Sequence, residues 1–351
     1  LLLTGVVFVY TPGDLIANDI LKVGADSNVI WIIYAVIFAY YIASTVLPID
    51  KLIGRIYPIF GGFLIISAIG VFIGIFIKGS GDLAFKNAGL LAEHPLGQKF
   101  IPSFFITVAC GILSGFHGSQ VTLISRTVKS ESEARTTFYS TMIAEGFIAM
   151  VWAAGAIVLF STGKAALDTP GTIMVGQVSK YFMGNVGGLL AVLGVIALPI
   201  TSGDTAFRSL RLIISEELNI DQKAPSKRAG LSAVLFIPAF AILYFAKTNP
   251  NGFNLLWRYF GFTNQFVATF ALAVATIYLI DTGKNYIITL LPGIFYVFIV
   301  FSFIINIKGL GLGMPFSIAY PAAGVIAVLY AYFVIKLGKK NKERIQSINL
   351  D

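Results

Sequence analysis

Apolar runs of about 20 residues alternate with short polar connections along the whole chain. A run of that length crosses a hydrocarbon core of about 30 Å as an α-helix. Complete spans fit at 29–47, 55–77, 102–125, 138–160, 185–203, 230–246, 263–281, 285–307 and 315–337. Ahead of them, Leu1 to Tyr10 are apolar but too short to span, and no charged region precedes them as in a signal peptide. They read as the tail of a helix that begins earlier. The pattern predicts an all-α polytopic membrane protein, with nine complete transmembrane helices plus an N-terminal stump. One transmembrane domain is expected over 1–351, with 338–351 as a basic tail.

Composition supports that class. Of 351 residues 57% are hydrophobic and 12% charged, where a soluble domain carries about 25% charged. The single Cys110 and two histidines exclude an intrachain disulfide and a Cys/His zinc site. The net charge of +8 does not read as nucleic-acid binding, because the basic residues sit mostly in short loops. Counted on alternate sides, 16 Lys and Arg fall with the KKNKER tail and 9, Lys86 among them, fall opposite. The positive-inside rule then puts the C-terminus in the cytoplasm.

Small residues mark close helix approach: Pro58, Gly61 and Gly62 near the start of one span, then Gly70 and Gly74 four apart. The spaced glycines of GLGLGMPF, 309–316, follow no strand and are not read as a nucleotide loop. FNLLWRYFGFTNQ, 253–265, reads as an aromatic belt at an outer boundary. RTVKSESEAR, 126–135, reads as a solvated charge run.

Three stretches break the apolar pattern. GILSGFHGSQ, 111–120, places glycines, serines, a glutamine and His117 in the middle of a span. Opened backbone at this depth survives only inside protein or beside a wet cavity, as in the broken helices of transporters. Gly111, Gly115 and Gly118 are the candidates for a break. Ser114, Gly115, His117, Ser119 and Gln120 are the candidate substrate-binding residues, because such donors beside a half-helix N-terminus suit a carboxylate. A packed interior helix with a satisfied histidine explains the same composition.

Glu145 lies about two turns into its span. A carboxylate there costs at least about 2.5 kcal/mol on insertion scales and usually faces the bundle interior, which suits a proton carrier or a structural hydrogen bond. In PITSGDTAFRSLR, 199–211, Thr201, Ser202 and Asp204 follow Pro199, whose ring frees a carbonyl. With Glu145 they form the candidate ion-coupling set, for H⁺ or Na⁺ and no other cofactor. Ser202 or Asp204 can instead cap the basic helix that follows.

These segments closely resemble the carbon starvation protein A (CstA) family of bacterial and archaeal membrane transporters. The matching stretches are ACGILSGFHGSQ with its downstream RTVKSESEARTTFYSTMIAEGFIAMVWAA, LPITSGDTAFRSLRLI and FNLLWRYFGFTNQ, in that order. The resemblance implies uptake of small organic nutrients, peptides or pyruvate, by ion-coupled secondary transport (symport) across the cytoplasmic membrane. It also implies two inverted five-helix repeats of the leucine-transporter type, with extra C-terminal helices. The family pattern begins with further helices that this sequence lacks, so the chain looks truncated at its N-terminus. If the stump is core helix 3, the 102–125 span becomes helix 6, the broken helix of the second repeat. The 185–203 span becomes helix 8, which supplies cation ligands.

The expected function is an alternating-access transporter whose partners are a small-molecule substrate, peptide or carboxylate, and the lipid bilayer, with no nucleic acid. The alternative is a membrane-embedded enzyme or nutrient sensor that uses Glu145, His117 and Asp204 as acid and base groups. No nucleophile–base spacing supports an enzyme, and no Walker A motif supports an ATP-driven pump.

Overall fold

The structure, a computed structural model, describes residues 1–24, 27–46, 50–79, 97–108, 111, 113–166, 169, 171–309 and 311–348. Lys86, Ala109, Cys110, Ile112 and the last three residues of the tail lie outside the described residues. All secondary structure among the described residues is helical: α1 (Leu2–Leu15), α2 (Val29–Val46), α3 (Asp50–Gly74), α4 (Phe100–Thr107), α5 (Gly115–Ile124), α6 (Thr141–Ser161), α7 (Gly171–Glu217), α8 (Pro225–Thr248), α9 (Gly252–Asp281), α10 (Ile287–Asn306) and α11 (Phe316–Ile348). Wider π-type turns extend α1 through Ile16–Ile20 and α3 through Ile75–Gly79, and precede α6 at Arg135–Ser140.

Among the described residues seven helices are long and apolar enough to cross a membrane, namely α3 and α6 through α11. The chain is therefore a multi-pass, all-helical membrane protein. Two of the nine expected spans differ from that set. α2 carries a shorter apolar run, Val29–Ser44. The 102–125 span is divided into α4 and α5, with Leu113 and Ser114 in neither. The stump is also longer than its apolar run, since α1 continues past Pro12 to Leu15.

The chain forms two compact units, Leu1–Ala88 with Leu123–Trp257, and Gly89–Thr122 with Arg258–Asp351. In the first, α1 and α3 both lie along α7. Lipid tails are as apolar as leucine, so helices associate here through close packing and polar ties rather than through exclusion of water. Gly194 lets α3 approach, since a Cβ there would lie 3.1 Å from the Leu64 nitrogen. Gly70 and Gly74 receive Met183 and Phe182 as expected, whereas Gly61 and Gly62 meet open space. Gly184 adopts φ 71° and kinks α7, a conformation glycine alone reaches without strain. Pro12 offers no N–H to the Phe8 carbonyl, and the Tyr41 hydroxyl donates to that oxygen from α2 at 3.3 Å.

In the second unit Ile106 of α4 packs with Ile299 and Val300 of α10, beside Phe262 and Phe266 of α9. Tyr330 of α11 donates to the Thr269 carbonyl of α9 at 2.9 Å. Gly309 and Gly313, at φ 79° and 66°, make the tight connection between α10 and α11, which accounts for the glycines of that segment.

Candidate functional site

The glycine-rich segment is interrupted, and the second unit shows how its opened backbone is served. Ser114 stands at the N-cap of α5, and its Oγ accepts the His117 N–H at 3.3 Å. Asn264 of α9 reaches the same turn, and its Oδ1 accepts the Phe116 N–H at 2.8 Å and the Ser114 hydroxyl at 3.2 Å. On the α4 side, the Gln265 amide donates to the Phe105 carbonyl, whereas the Tyr320 hydroxyl ties down the opposite end of α4, donating to the Ile101 carbonyl at 2.6 Å. Asn264 is 6% exposed and Gln265 fully buried. Asn264 and Gln265, buried in protein, thus replace helical partners that α4 and α5 lose at their facing ends.

Gly115 has a packing reason as well. A Cβ there would press on the Asn264 carbonyl and lie 2.7 Å from the Val267 side chain, so the residue admits the α9 backbone. Gly118 is different: its Cβ would meet only Ala271, at an ordinary 3.7 Å. Of the expected substrate-binding residues, Ser114 and Gly115 are buried against α9, while His117, Ser119 and Gln120 are half-buried on the following turn. Ser119 donates back to the Gly115 carbonyl at 3.0 Å.

The expected coupling residues belong to the first unit. Here the sequence expectation needs correction, because α7 stays helical from Gly184 to Glu217 and the only non-helical backbone inside it is at Gly184. Neither a disruption at Pro199 nor an N-cap at Ser202 or Asp204 occurs. Pro199 removes one helical hydrogen bond, but the packing of α1 and α3 along α7 holds the axis through it. Asp204 is a mid-helix carboxylate, 7% exposed. Its Oδ1 accepts the Ser44 hydroxyl of α2 at 2.5 Å, and its Oδ2 lies 3.1 Å from Nη2 of Arg208 one turn on. The Thr201 hydroxyl donates to the Leu198 carbonyl at 2.9 Å, and Ser202 is half-buried beside it. Glu145 is half-buried on α6, whose Gly155 packs on Val71 and Val178, ahead of the Gly184 kink.

Two further acidic residues of the first unit escaped sequence reasoning. Asp14 of α1 accepts the Tyr34 hydroxyl of α2 and pairs with the Lys247 ammonium of α8, each at 3.0 Å to Oδ1. Both charged side chains are at most 8% exposed. The Lys247 nitrogen also lies 5.0 Å from the Tyr10 ring centre. Asp19 pairs with Lys180 of α7, and Gly176 is open where that carboxylate rests. The available signal for Asp14 was an acidic residue directly behind Pro12 and Gly13 in an apolar run.

Comparison with known proteins adds to this geometry. The family model described as "Carbon starvation protein CstA" matches residues 3–188 and 173–302. An uncharacterized membrane protein of Haemophilus influenzae is 34% identical over 213 residues, 48% of this chain and 57% of that protein. A second Haemophilus influenzae protein is 44% identical over 117 residues, 33% of this chain and 80% of that protein. A protein named peptide transporter CstA from Helicobacter pylori is 25% identical over 346 residues, 78% of this chain and 49% of that protein. The chain thus spans about half the length of that transporter. No solved structure matches.

Proposed function

Because the chain belongs to the carbon starvation protein CstA family, we propose that it is a secondary transporter for small organic nutrients, peptides or pyruvate-like acids, and not an enzyme. The observation that carries this reading is the interrupted helix α4–α5, whose freed backbone is served by Asn264 and Gln265. Such interruptions are costly in a membrane and accompany substrate sites. His117, Ser119 and Gln120 offer donors to a substrate carboxylate, with Ser114 and Gly115 shaping the turn. Asp204, with Thr201 and Ser202 on the same helix and Glu145 on α6, couples transport to H⁺ or Na⁺. Transport proceeds by alternating access in an inverted-repeat fold of the leucine-transporter type, within the cytoplasmic membrane and with the C-terminus inside.

Proteoliposome uptake tests this reading. Labelled pyruvate, or a labelled dipeptide, should accumulate under an imposed H⁺ or Na⁺ gradient and stop accumulating when the gradient is collapsed. Asp204→Asn should abolish accumulation while exchange of preloaded substrate partly survives. Uptake indifferent to both gradients would make the protein a channel or facilitator, and unchanged ion dependence in Asp204→Asn would remove that residue from coupling.

A further inference from the structure

Arg211 is 6% exposed, and its Nε and Nη1 are buried with no hydrogen-bond partner among the described residues. It lies within electrostatic reach of Arg208, Arg228 and Asp204. Asp204 is paired with Arg208, and no acidic side chain among the described residues is seen paired with Arg211 or Arg228. Arg228 is half-buried, and its Nε is enclosed with no hydrogen-bond partner among the described residues. A charge buried without a counter-charge is costly, so Arg211, with Arg208 and Arg228 around it, favours an anion.

A cleft of about 600 Å³ between α2 and α8 is lined by Ala35, Ala39 and Ile42 on one helix and by Ala229, Ala233 and Ile237 on the other. These positions repeat at helical spacing along one face of each helix. The helices run antiparallel, with the Phe38 ring against Phe236 and Trp31 against Tyr244. One end of the cleft, at Ile42 and Ala229, adjoins Arg228 in sequence and Ser44, the Asp204 partner. From Ala229 to Phe240 the apolar wall extends about 16 Å, an acyl-chain dimension.

Depth agrees with that assignment. From the Gly184 kink to Glu217 α7 is about 50 Å long, whereas about 20 residues cross the hydrocarbon core. Arg208 and Arg211 therefore fall one to two turns beyond the core, at headgroup level, as does Arg228 in the first turn of α8. We propose that this end of the first unit binds an anionic phospholipid, with the headgroup phosphate on the Arg208–Arg211–Arg228 cluster and one acyl chain in the α2–α8 cleft. Guanidinium groups match phosphate oxygens in geometry and charge, and basic pockets between helices are a recurring form of lipid recognition.

Native mass spectrometry and thermal unfolding of the delipidated, detergent-purified protein test this inference. Phosphatidylglycerol should bind at least about tenfold more tightly than phosphatidylcholine of the same acyl chains, the equivalent of one charge-assisted hydrogen bond. It should also raise the unfolding temperature. Arg211→Met should lose the lipid preference and, with the uncompensated charge gone, unfold at a higher temperature than wild type in lipid-free detergent. Ala39→Phe should weaken phosphatidylglycerol binding by filling the cleft. Equal binding of the two lipids, or a lower unfolding temperature for Arg211→Met in lipid-free detergent, would overturn the proposal. If inorganic phosphate alone reproduces the stabilisation and Ala39→Phe leaves phosphatidylglycerol binding unchanged, the ligand is a free phosphate and the lipid assignment falls.

Discussion

Replacing Lys247 by methionine removes one charge of a pair whose other member cannot leave. Lys247 and Asp14 are 8% and 7% exposed, 3.0 Å apart. The Tyr34 hydroxyl donates to the same Asp14 oxygen, also at 3.0 Å. That hydrogen bond survives the substitution, but it leaves the carboxylate without its counter-charge in the helix interior. Breaking a buried pair from one side costs about 3–5 kcal/mol, whereas replacing both partners by apolar residues of similar volume is often neutral or stabilising. Lys247→Met should therefore destabilise by about 3–5 kcal/mol, while Asp14→Leu combined with Lys247→Met should recover most of the loss. Equilibrium unfolding in mixed detergent micelles, run as a double-mutant cycle, gives the coupling energy directly. A single variant within about 1 kcal/mol of wild type, or a double variant as unstable as the worse single one, would refute the argument that the pair is dry and mutually dependent.

Three other outcomes follow from the geometry. Cysteines placed at Lys340 and Lys129 should react with impermeant reagent only from the cytoplasm, and one at Lys164 only from outside. Labelling of position 340 from outside would invert the assigned topology. Asn264→Leu removes the acceptor shared by the Phe116 N–H and the Ser114 hydroxyl, a loss of about 1–3 kcal/mol, visible as faster amide exchange at the start of α5. Unchanged exchange there would show that the turn does not depend on α9. Gly115→Leu should fail to fold, because its side chain meets the Asn264 carbonyl and Val267, whereas Gly118→Ala should fold and transport normally. A well-folded Gly115→Leu protein would show that α5 and α9 are not in close contact.

The interruption at α4–α5 was legible because several glycines and serines in one apolar span weaken a helix, but its place was not: Gly111, Gly115 and Gly118 are helical, and the described non-helical residues of 111–120 are Leu113 and Ser114. Asp204 was misread for the opposite reason. Proline followed by hydroxyls and a carboxylate is a sound local signal for a helix end, but α7 is packed along its length by α1 and α3, and tertiary contact outweighs one missing hydrogen bond. Lys247 ends an apolar run, so charge counting places it in a loop, and only the folded neighbours bury it. Asn264 and Gln265 were assigned to the interface because their span was expected to begin at residue 263. α9 begins at Gly252, which carries both residues about three turns into the helix.

The polar ties of the first unit share one feature that bears on movement. Tyr34 and Ser44 lie on one helix, α2, and hold carboxylates on two others, Asp14 of α1 and Asp204 of α7. Their Cα atoms are about 15 Å apart along the α2 axis. Hydrogen bonds to charged groups contribute about 1.5–3 kcal/mol each, and apolar helix faces contribute little selectivity against lipid. These two bonds therefore set the register of α2 more firmly than its leucine-like surface does. A sliding motion of α2 against α1 and α7 has to break both together, whereas a rotation in which α1, α2 and α7 move as one body breaks neither. If the transport cycle moves this part of the protein, the economical motion is the rigid one, with the first half of α7 released at Gly184, where the helix is already bent.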